Sequence, residues 1–224
     1  MKTRKPTPAP VFEEPPVSGS FSEPALAPLF ELNAYFLNAM AASASRPPEG
    51  RPHWALAQRP EWTQLRPTAR QRIARCPVCL VDARFNEQER WEAIARRAPL
   101  ASAAECGLPH WQAVELAHMT FTLAWTVARA DREGARIIFG MTPPCARIIS
   151  SFSIHRIQGL AEQHNDAIRP AWEDHPEIWR HLLSLTEAAP AARLPPLHVR
   201  AMQRQLSSLA LATGASRQIQ HSRA

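Results

Sequence analysis

Glycine is scarce in this chain, with 7 residues among 224 against 22 prolines. So few glycines make a phosphate-cradling loop hard to build, and no GxSxG elbow occurs. Tyrosine appears once and β-branched residues are sparse, which disfavours a strand-built fold. Long apolar runs are missing as well. Uncharged stretches such as Leu116 to Ala128 fall short of the roughly 17–25 residues a membrane span requires. The opening MKTRKPTPAP soon meets Glu13 and Glu14 and has no secretory apolar core. With four cysteines and no export segment, the expectation is a reduced, cytoplasmic protein without a disulfide framework.

What is present favours helices. Hydrophobic residues make up 45% of the chain, enough for a core. Alanine and arginine are abundant, and the prolines fall between periodic segments, where they punctuate helices. The expected fold class is all-α. Residues 1–28 read as a proline-rich disordered leader, 29–98 as a first helical unit, 108–188 as a second, and 189–224 as a basic C-terminal helix and tail. The net charge is +6, and residues 193–224 alone carry five arginines and no acid.

Within the first unit, Leu29, Leu32, Phe36, Met40 and Ser43 fall on one helical stripe. HWALAQRPEWTQL suggests a short helix, a proline break and a further turn. Pro67 then suits the first turn of the helix TARQRIARC. LVDARF reads as extended. Asn86 and Glu89 have capping-box spacing ahead of Trp91 and Ile94. The second unit opens with the long helix WQAVELAHMTFTLAWTVARAD, which carries two apolar stripes and should be buried on two sides. Asp131 and Glu133 read as turn acids. Thr142 precedes Pro143-Pro144 as an N-cap, and RIIS and SIHRIQGLAEQ give two short amphipathic helices. After the extended AIRPAW, Asp174 and Glu177 repeat the capping-box spacing ahead of Trp179. LHVRAMQRQLSSLALAT reads as a final helix.

These features recur in order. Leu65 matches Phe152, and Ile73-Ala74 matches Leu160-Ala161, at an offset of 87 residues; Asn86, Glu89 and Trp91 match Asp174, Glu177 and Trp179 at 88. Helix 30–44 corresponds to the interior of helix 111–131. Two capped amphipathic helices also resemble one another through physics alone, so duplication and coincidence both stay open at the level of sequence.

The second unit resembles FlhD, a subunit of the bacterial flagellar master transcriptional activator. The likeness covers about Glu115 to Leu183. It lies in a long helix ending in VARAD, the turn FGMT, the helix-turn-helix-like FSIHRIQGLAEQHN and the tail RPAWEDHPEIWRHLL. A fainter echo runs from Phe30 to Ile94. FlhD proteins are about half this length and have neither the leader nor the basic tail. The resemblance implies two FlhD-like helical units packed as an intrachain pseudo-dimer, helix 30–44 against helix 111–131. It also implies a regulatory subunit that works with an FlhC-like partner on promoter DNA, the partner carrying zinc and more of the DNA affinity.

Two arginine sets suit phosphate contact: Arg66, Arg70, Arg72 and Arg75 along helix 67–76, and Arg200 and Arg204, with Arg217 and Arg223, in the tail. Gln71 could reach base edges. Each set equally fits a solvated face. Trp91, Trp125 and Trp179 fall on apolar stripes and read as core. Trp54, Trp62 and Trp111, near prolines at segment starts, read as partner-interface candidates. Cys76-Pro-Val-Cys79 has the spacing used by zinc and redox pairs, but no second ligand pair stands at short spacing and no βαβ context surrounds it. His175, Glu177 and His181 could hold a metal only weakly. The expectation is a non-enzyme without cofactors, acting with an FlhC-like or other regulatory partner, with DNA contacted as part of a complex, no membrane, and self-association compatible. The rival reading is a helical adaptor or assembly accessory protein that does not bind DNA.

Overall fold

The computed structural model describes residues 23–46, 61–98, 108–173, 175, 177–180 and 182–183. The described chain is mostly helical: α1 (Glu23–Ala44), α2 (Glu61–Gln64), α3 (Pro67–Ala74), α4 (Gln88–Arg96), α5 (His110–Ala130), α6 (Arg132–Phe139), α7 (Pro143–Ser151) and α8 (Ile154–Gln163). Residues 177–180 and 182–183 are helical too. Two short strands, β1 (Val81–Asp82) and β2 (Arg169–Pro170), pair antiparallel.

α1 begins earlier than residue 28, inside the stretch expected to be a disordered leader. Pro24 falls in its first turn, where a missing N–H is not needed, and Leu26 and Leu29 already pack on the core. Pro28 lies within the helix and leaves one rung without a donor. Leu32, Phe36, Leu37 and Met40 are then fully buried. α5 is the pillar of the other half, contacting α1, α6, α7 and α8. The two long helices are therefore neighbours, and the Tyr35 hydroxyl on α1 donates to Glu115 Oε2 on α5 at 2.5 Å.

Several helix ends follow their sequence. Pro67 opens α3, and the Thr142 hydroxyl accepts from Cys145 N at the start of α7. Two do not. Asn86 is exposed and caps nothing; α4 starts after Glu87, without a side-chain cap. The turn before it is held instead by Asp82 Oδ1, which accepts from Phe85 N at 3.2 Å. Asp131 is more than a turn acid. It ends α5 and caps α6, accepting from Gly134 N at 2.9 Å, and Gly140 in the left-handed region (φ 68°) ends α6.

α1 buries two polar side chains, Ser43 and Asn33, and Asn33 is the one that reaches a distant loop. The Asn33 amide nitrogen shares its two hydrogens among the carbonyls of Ala74, Cys76 and Val78 at 3.1–3.2 Å, and its oxygen accepts from Leu80 N at 2.9 Å. It thereby serves four backbone groups at the end of α3 and in the loop leading to β1, where no ladder partner is at hand.

Contacts between the two halves are reciprocal. Val81 pairs with Pro170 and Asp82 with Arg169, so each strand residue meets the counterpart of its neighbour at the 88-residue offset. Arg84 (φ 57°) and Trp172 (φ 55°), also 88 apart, both adopt left-handed backbone that non-glycine residues rarely take. Trp91 Nε1 donates to Arg84 O at 3.0 Å, and Trp179 Nε1 to Ala171 O at 2.6 Å. Across the halves, Phe121 meets Trp91 with ring centroids 5.9 Å apart, and Phe36 meets Trp179 at 5.9 Å.

Candidate partner and nucleic-acid surfaces

The arginines expected to contact phosphate divide by helix face. Ala69, Ile73 and Ala74 turn α3 inward. Gln71, Arg72 and Arg75 lie on the outer side and Arg66 stands at the N-cap, all exposed. Arg70 sits closer to the buried stripe and folds back, its Nη1 donating to Leu65 O at 2.8 Å. Arg66, Arg72 and Arg75 can therefore reach a phosphate backbone, while Arg70 braces the start of its own helix. Arg200 and Arg204 lie outside the described residues.

Of the tryptophans expected at a partner surface, Trp62 is in the core. It is 1% exposed, with Trp179 at 5.9 Å between ring centroids. Nearness to a proline located a segment start, and Trp62 is covered there by a residue far away in sequence. Trp111 is exposed, at 64%, on the first turn of α5. It borders an open depression of about 540 Å³ with His110, Val114, His118 and Glu162. Trp54 lies outside the described residues.

Cys76 and Cys79 occupy the loop that Asn33 organises, and both are buried. Burial pushes both thiols up to about 12, with the Val78 and Val81 N–H groups pulling weakly the other way. A zinc ligand or redox nucleophile is needed as thiolate, and this environment disfavours that form. Cys145 is raised to about 11, also chiefly by burial. Among the described residues no three His, Cys, Asp or Glu side chains converge in a way that could hold a metal ion. His175 and Glu177 approach to 3.4 Å on the surface; His181 lies outside the described side chains.

Sequence reading missed a basic concavity where α4 ends against α7 and α8. Arg97 and Arg156 are far apart in the chain, and no local pattern announces that they share a wall. Among the described residues, no helix is long and apolar enough to cross a membrane. Comparison with protein-family models, with curated proteins and with solved structures finds no match.

Proposed function

We propose that the chain is an FlhD-like regulatory subunit whose two helical units form an intrachain pseudo-dimer, and that it acts by protein contact within a transcription complex. The observation that carries this reading is the register of the strand pair. A segment that pairs with its own counterpart, Val81 with Pro170 and Asp82 with Arg169, makes the self-complementary contact of a two-fold dimer. Reciprocal Phe–Trp contacts and left-handed residues at matched positions support the same arrangement. The partner is an FlhC-like subunit, and Arg66, Arg72 and Arg75 contribute phosphate contacts to the assembly.

The test is co-elution of the full chain with an FlhC-like subunit, followed by gel-shift of promoter DNA across a salt series. The expected result is a complex that shifts DNA more strongly than the partner alone. Replacing Arg66, Arg72 and Arg75 with alanine should lower the salt slope. Absence of co-elution removes the reading. The adaptor alternative has one observation in its favour: Trp111 is an exposed aromatic whose depression is lined by no arginine among the described residues, which suits protein contact better than phosphate.

A further inference from the structure

The concavity beside α4 and α8 has a volume of about 850 Å³. That is within the range of sites holding several ligand side chains. Its floor is apolar, from Ile94, Phe152 and Leu160. Its walls carry Arg97, His155 and Arg156, and no carboxylate among the described residues lines it. His164 also borders it, but burial and Arg90 lower its pKa, so the positive charge comes mainly from the two arginines.

Arg156 is held in place. Its Nη2 donates to the carbonyls of Ile94 and Ala95 at the end of α4, and its guanidinium lies 4.6 Å over the Phe152 ring. A guanidinium fixed in this way loses little further freedom on binding. Arg97 is exposed, in left-handed backbone (φ 56°) just past the helix.

The matched place in the other half is different. At the 87-residue offset Arg156 corresponds to Ala69, Phe152 to Leu65 and Leu160 to Ile73, and these three counterparts are all buried. Arg97 corresponds to Leu185 at 88. Among the described residues the two places thus differ at one position, where buried Ala69 stands opposite the guanidinium-bearing Arg156.

We propose that this groove is a docking site for an acidic segment of a partner protein. Arg97 and Arg156 receive its carboxylates, above a floor of Ile94, Phe152 and Leu160 that is already buried. Single-stranded nucleic acid fits less well. Stacking needs an open aromatic face, and the ring in this groove is 6% exposed beneath Arg156. The inference goes beyond the regulatory reading and stands or falls separately from it.

The experiment is fluorescence anisotropy of the full chain with a labelled peptide of alternating glutamate and leucine. A lysine–leucine peptide and a labelled single-stranded oligonucleotide are run beside it. The expected result is saturable binding of the glutamate–leucine peptide alone. Combining Arg97→Glu with His155→Glu, both exposed sites, should weaken that binding by about tenfold or more and admit the lysine–leucine peptide. Circular dichroism establishes that the variant is folded, and His155→Glu alone gives a milder version of the same shift. Tighter binding of the oligonucleotide than of the peptide, or peptide affinity indifferent to both substitutions, would overturn the proposal.

Discussion

The two halves share a plan and differ in what fills it. On the α1 side, an asparagine gathers the carbonyls and N–H of the loop after α3 into a buried polar hub. On the α5 side no such hub is found among the described residues; Ala117, Phe121, Ala124 and Ala128 pack that helix instead. The ladder between the halves is unequal as well. Asp82 and Arg169 form an ion pair at 2.9 Å, whereas their counterparts at the 88-residue offset are Pro170 and Val81, an apolar pair. Reciprocal geometry thus coexists with non-reciprocal chemistry: backbone and packing positions match between the halves, while polar positions differ.

The most severe way to break the comparison is at the crossed tryptophans. Trp91→Ala and Trp179→Ala should each cost about 3–5 kcal/mol in urea unfolding, because each empties a buried site of aromatic size. Similar losses from both would sharpen the reciprocity; a near-silent Trp179 variant would break it. Next comes Asn33→Leu, which strands the Leu80 N–H and three carbonyls. It should cost about 1–3 kcal/mol or more, while His118→Leu, on the half-buried side of α5, should do far less.

A smaller effect belongs to the ion pair. A double-mutant cycle with Asp82→Asn and Arg169→Gln should give a coupling of about 1 kcal/mol, since both side chains are roughly 20% exposed and partly screened. A null cycle would make the ladder's polar end dispensable. The mildest test is alkaline. Cys76 and Cys79 are raised from an ordinary value near 9 to about 12. Unfolded thiols ionise first, so their contribution is complete below pH 9 and is lost as pH rises toward 12. The melting temperature of the wild type should therefore fall more steeply across that window than that of a Cys76→Ala, Cys79→Ala variant.

Much of this arrangement was legible in the residues. Pro67, Thr142 and the apolar stripes mark helix starts and faces through local chemistry, and Trp91 and Trp179 fall on those faces. What escaped depends on distance along the chain. Trp62 looked like a surface residue because its neighbour Trp179 is more than a hundred residues away. Asn33 carries no local signal of its role, since the loop it binds is remote in sequence. Asn86 lost its expected role because Asp82 had already fixed the turn before α4. Asp131 and Glu133 read as turn acids, yet Asp131 ends one helix and begins another, and Glu133 lies in the first turn of α6.

The crossed tryptophans bear on how the chain acquires its structure during synthesis. Phe121 is still inside the ribosome when Trp91 emerges, and Phe36 waits still longer for Trp179. Phe85 and Trp172 cover these tryptophans from within their own halves, but the covers from the other half arrive late, so the core is completed only when nearly all of the helical body has been translated. Until then each incomplete half carries a sticky surface matched to the other. Two fragments cut between α4 and α5 should accordingly recombine when expressed together, and aggregate when expressed singly.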